Sequence, residues 1–162
     1  FYEDVHRLMT VPSKPNDVYM ATGRNLYHSV DKGGSWEVMP LPEDRIRYPD
    51  ALVILPQQPD VMFTAGAASR PPFWLQTHAA DARIARSTDG GKNWQVLQNG
   101  LPEKIHGNVE AMAMEFYNGS FGLYAGTTDG EVFFSGNEGN EWTKIVEGLP
   151  PISKAHHYLI IR

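Results

Sequence analysis

The chain has 162 residues, 41% of them hydrophobic and 20% charged, with a net charge of −5 and no cysteine. That length and composition describe a soluble globular domain able to bury a core, and they exclude disulfides, zinc–thiolate centres and thiol nucleophiles. No apolar run approaches the roughly 18 residues of a membrane span, and an acidic chain without a Lys/Arg cluster is not built for nucleic acid.

From the N-terminus, an apolar run at 5–11 is followed by Pro12-Ser13-Lys14-Pro15-Asn16-Asp17, whose prolines and Asx residues suit a reversal. Further β-rich runs follow at 18–21 and 26–28, then Ser29-Val30-Asp31-Lys32-Gly33-Gly34-Ser35-Trp36, then a run at 36–39. The same order recurs with runs at 51–55, 61–65, 83–86 and 94–97, around Ser87-Thr88-Asp89-Gly90-Gly91-Lys92-Asn93-Trp94. It recurs again with runs at 111–116, 123–126, 131–134 and 142–146, around Ser135-Gly136-Asn137-Glu138-Gly139-Asn140-Glu141-Trp142. Asn99-Gly100-Leu101-Pro102 and Glu147-Gly148-Leu149-Pro150 close the second and third units, and the run 157–161 opens another. Trp36, Trp94 and Trp142 lie 58 and 48 residues apart, a spacing of repeat units, and four short β runs per unit predict a four-stranded antiparallel blade. No segment shows a helical period, so the chain reads as almost wholly β.

The tryptophan-ended box has a rationale as a turn between the third and fourth runs. The Asp31 and Asp89 carboxylates can accept backbone N–H bonds within their own turn, and Gly33, Gly91 and Gly139 suit positive φ. Ser29, Ser87 and Ser135 can bond the neighbouring backbone, while Trp36, Trp94 and Trp142 pack between strands. Asn137 replaces the aspartate in the third copy, and its amide oxygen can accept the same bonds.

Ser-x-Asp-x-Gly-x-Ser/Thr-Trp resembles the Asp box of the BNR-repeat, sialidase-like β-propellers, and the resemblance covers essentially the whole chain. It implies an all-β propeller segment with blades at 1–42, 43–102 and 103–150, and the first strand of an incomplete blade at 151–162, within a ring of six to eight blades. It implies structural boxes, with ligands bound on the opposite face. Partners follow from the open edges: further blades of the same protein, or a second copy completing the ring. A chain that begins at Phe1 is expected to be processed, truncated or a section of something longer, in the cytoplasm, the periplasm or outside the cell.

The ligand-binding face would be built from 40–50, 67–82, 99–110 and 148–157, with 1–6. Placing Leu8, Leu52, Met112 and Leu159 in one column sets His6, Asp50, Glu110 and His157 together two residues earlier, near the mouth of the central channel. All four are metal-ligand or proton-transfer types, and two histidines with two carboxylates would suit a divalent metal such as Zn²⁺, Mn²⁺ or Fe²⁺. The long connection 67–82, with Arg70, Trp74 and His78, predicts contact with a ligand or partner. Tyr48 and His106 fall on the same face.

The resemblance to sialidases implies an arginine triad with a Tyr/Glu pair and an aspartate. Arg45, Arg47, Arg70 and Arg162 are available, but no motif completes that set, and paired catalytic aspartates of xyloglucan-active enzymes find no match. The sequence therefore favours a module that binds a glycan or protein ligand through the mouth face. A glycoside hydrolase-like, metal-assisted enzyme on the same face is the alternative, and an architectural subunit of a larger complex the second.

Overall fold

The computed structural model of the chain describes residues 4–42 and 45–153. Among these, three four-stranded antiparallel sheets each take their strands in chain order. The first sheet holds β1 (Val5–Val11), β2 (Lys14–Thr22), β3 (Leu26–Ser29) and β4 (Glu37–Met39). The second holds β5 (Tyr48–Ile54), β6 (Met62–Ala67), β7 (Arg83–Ser87) and β8 (Gln95–Val96). The third holds β9 (Val109–Tyr117), β10 (Ser120–Thr127), β11 (Val132–Ser135) and β12 (Thr143–Val146). The fold is all-β and blade-like, as the sequence predicts; the run 157–161 lies outside the described residues.

Alternation along β5 explains how the sheets stack. Ala51 and Val53 join Phe63, Ile84, Phe121 and Leu123 in the core between the second and third sheets. Leu52 and Ile54, pointing the other way, join Val11, Tyr19 and Leu26 between the first and second. A strand buried on both faces reads as a continuous apolar run, and a one-residue slip would exchange its two partner sheets. β1 packs on β5, and β5 on β9, so the first strands are the innermost.

Each box turn is closed by its own side chains. Gly33, Gly91 and Gly139 donate their backbone N–H to Ser29, Ser87 and Ser135 at 2.8, 2.8 and 3.0 Å. Asp31 Oδ1 accepts the Ser35 N–H at 2.8 Å, Asp89 Oδ1 the Asn93 N–H at 2.9 Å, and Asn137 Oδ1 the Glu141 N–H at 2.9 Å. The three glycines sit at φ of 92°, 84° and 82°, and the second and third turns also clasp the sheet before them. A Cβ on Gly91 would meet Met39 and Met62, and one on Gly139 would lie 2.8 Å from Phe63.

These bonds hold the Asp31 and Asp89 carboxyls down at about 2, chiefly through Ser35 and Asn93 respectively. A carboxyl depressed from its ordinary 3.8 contributes stability above that value and loses it as pH falls towards 2. The thermal midpoint should therefore drop between pH 4 and pH 2. Asp89→Asn, which copies the third box, should lose part of that drop while remaining folded; equal drops in both proteins would clear the boxes of responsibility.

One element departs from the sequence reading. Part of the connection 67–82 folds as α1 (Pro71–Thr77), with Arg70 at its N-cap, prolines in its first turn and His78 ending it at φ 54°. The absence of a helical period does not make the chain wholly β. α1 buries none of its residues, so no apolar stripe marks it, and only the Pro71-Pro72 start was there to be seen.

Candidate functional site at the inner strand ends

The three inner strands carry a one-residue bulge at the same level. Val5 pairs with Thr22 and Arg7 with Ala21, leaving His6 as the extra residue. Pro49 pairs with Gly66 and Ala51 with Ala65, leaving Asp50. Val109 pairs with Thr127 and Ala111 with Gly126, leaving Glu110. A bulge takes its extra residue out of the ladder and re-aims the side chain. His6, Asp50 and Glu110, the residues set in one column by the sequence, line one cavity of about 640 Å³ together with Tyr48.

Two of them form a buried polar array that crosses all three sheets. The His6 and Asp50 side chains are 3% and 1% exposed, and His6 Nδ1 lies 3.0 Å from Asp50 Oδ1. The same nitrogen lies 2.8 Å from the Pro49 carbonyl oxygen. A carbonyl can only accept, so the contact assigns the proton to Nδ1. The second Asp50 oxygen accepts from the side-chain amide of Asn108. Asn108 is fixed in turn by reciprocal bonds with Thr128: its N–H donates to Oγ1, and the Thr128 N–H donates to its carbonyl, both at 2.9 Å. Tyr48 packs against the His6 ring with centroids 4.8 Å apart.

Asp4, Arg7 and Pro71 also line the cavity, so its carboxylates Asp4, Asp50 and Glu110 face one arginine. Asp4 Oδ2 is 3.3 Å from His6 Nε2. Among the described residues no three His, Asp or Glu side chains are grouped to hold a metal ion. His6 Nδ1 and one Asp50 oxygen are turned on each other, so among the described residues His6, Asp50 and Asn108 form a hydrogen-bonded array. His157, the fourth residue of the column, lies outside the described residues.

The other sequence candidates are dispersed. Arg70, Trp74 and His78 belong to α1 and its caps and do not line the cavity, although Pro71 brings the helix to its rim. His106 is exposed and pairs with Asp129 at 2.5 Å, a bond that raises its pKa above the ordinary histidine value. Sequence reasoning missed Asn108, which precedes its strand and meets Asp50 only across 58 residues of chain. Its one local signal is the position just before an inner strand.

No family model matches the chain, and no curated protein matches it. Solved structures do. An ancestral GH74 enzyme matches with TM-score 0.66 and 20% identity over 93% of this chain and 19% of its own. The GH74 xyloglucanase from Xanthomonas campestris gives 0.60 and 18%, over 88% of this chain and 23% of its own. YCF48 bound to D1 peptide gives 0.57 and 17%, over 88% and 44%. These are β-propeller proteins, and the likeness shows the fold. The chain spans between 19% and 44% of their lengths. No helix among the described residues is long and apolar enough to cross a membrane.

Proposed function

We propose that the chain is a section of an Asp-box propeller, with blades at 1–42, 43–102 and 103–150, that binds a protein segment through the inner-strand cavity. The three matched bulges carry this reading, because they bring His6, Asp50 and Glu110 from three separate sheets to one cavity. Its acidic lining favours a ligand that presents a lysine or arginine. The propeller-fold YCF48 in complex with a peptide is a precedent for such a ligand on this fold.

A further blade or a second copy would pack on the first sheet. The row Leu8–Met20–Tyr27–Val38 faces away from the second sheet, and Leu8 and Val38 are each 60% exposed. The equivalent Leu52 of the second sheet is fully buried by the first.

Glycoside hydrolysis is the second reading, favoured by Asp50 and Glu110 sharing a cavity in a fold matched by GH74 enzymes. Binding is preferred because the Asp50 carboxylate is enclosed and already engaged by His6 and Asn108. Fluorescence polarisation with short synthetic peptides, with and without Lys or Arg, tests it. Basic peptides should bind, and Glu110→Gln should weaken them about tenfold, the order of one close charge pair. No binding, or binding indifferent to that change, overturns the reading. Release of reducing ends from xyloglucan that Glu110→Gln abolishes would favour the hydrolase.

A further inference from the structure

The opposite ends of the sheets carry a second cavity, of about 570 Å³, between the β5–β6 turn and the β9–β10 hairpin. Its counterpart between the first and second sheets is bridged. There Ser13 Oγ donates to the Pro56 carbonyl at 3.2 Å, and Lys14 Nζ lies 3.3 Å from Asp60. Between the second and third sheets the longer β9–β10 hairpin runs past its neighbour and leaves a cleft. Phe116 shares a face of β9 with Met112 and Met114, which pack towards the second sheet, so the cleft lies between two described sheets and not on an outer face.

The lining is specific in kind. Phe116, 48% exposed, stands over an apolar floor that includes Leu55 and Val61. Gln57, Gln58 and Asn118 supply exposed carboxamides around it. Glu138, from the box turn, is the one carboxylate, and it already accepts the Ser120 hydroxyl at 3.0 Å. Among the described residues no lysine, arginine or histidine lines the cleft, which disfavours anions, and a single engaged carboxylate offers little to a cation. An aromatic face with several carboxamides, each both donor and acceptor, matches a ring whose faces are apolar and whose edges carry hydroxyls. The Asn118-Gly119 pair, at φ 47° and 79°, forms the tight hairpin that holds Asn118 at the rim.

We propose that this cleft binds a pyranose unit of a neutral saccharide, at the end of the sheets opposite the inner-strand cavity and independently of it. Neutral oligosaccharides of glucose, xylose and mannose are titrated into ¹⁵N-labelled protein, with an uncharged proline-rich peptide as the competing probe. At least one saccharide should shift the amides of Gln57, Gln58 and Gly119 and leave those of His6 and Asp50 unmoved. Phe116→Ala should weaken that saccharide tenfold or more. Gln58→Ala, an exposed substitution that the fold tolerates, should weaken it several-fold, and Glu110→Gln should have no effect. Shifts confined to the inner-strand cavity, no saccharide shifting the cleft amides, or shifts produced by the peptide alone would each overturn the proposal.

Discussion

Gly66→Ala is expected to destabilise the protein by about 3 kcal/mol, through overpacking and a weakened strand pair. A Cβ at Gly66 would lie 2.1 Å from the Tyr48 carbonyl oxygen and 2.8 Å from Pro49 Cα. Both obstacles are backbone and cannot swing aside as a side-chain end can. β5 and β6 would have to part at the bulge that presents Asp50, so the cost falls on the fold and on the site together. The first and third sheets carry Thr22 and Thr127 at this register, opposite Val5 and Val109. The second alone sets Pro49 there, and its backbone approaches closely enough to require glycine. Gly119→Ala supplies the scale: nothing lies within 4 Å of its Cβ, so only the positive φ is strained, at about 1 kcal/mol. Urea midpoints of the two variants decide it, and a loss at Gly66 no larger than at Gly119 would remove the close-approach argument.

The boxes were legible because each is self-contained. The serine and Asx side-chain bonds that close them join residues no more than four apart, such as Ser29 to Gly33 or Asp31 to Ser35, so composition and spacing encode the turn directly. The column of His6, Asp50 and Glu110 was legible for a related reason: each lies two residues before an apolar residue of its own strand, Leu8, Leu52 or Met112. The bulges behind that column were not, since the sequence does not mark which residue is left out of a ladder.

β2 shows a different failure. Pro15, Asn16 and Asp17 look like a turn, yet Val11 pairs with Lys14 and the reversal needs only Pro12 and Ser13. β3 reaches no further along β2 than Val18, so Pro15 has no ladder bond to withhold on that side. The partnership of Asp50 with Asn108 is a tertiary fact, created when the third sheet stacks on the second, and no local period could carry it.

That partnership makes Asp50→Ala the second large effect, with an expected loss of about 3 kcal/mol from unpairing buried polar groups. The Asn108 amide nitrogen would lose its acceptor in a residue with no exposure, whose Oδ1 is already buried without a partner among the described residues. His6 Nδ1 would retain the Pro49 carbonyl at 2.8 Å, so the heavier share of the cost lies on the Asn108 side. Asn108→Ala in the Asp50→Ala background should then cost much less than Asn108→Ala alone, because its partner has gone. A double-mutant cycle read by urea denaturation should give a coupling of roughly 1–3 kcal/mol, the range for directly bonded neighbours. The same cycle in high salt should change little, since the pair is enclosed and poorly screened. Additive losses would mean that the two side chains stabilise the inner strands separately, and the array would no longer account for how three sheets hold one site.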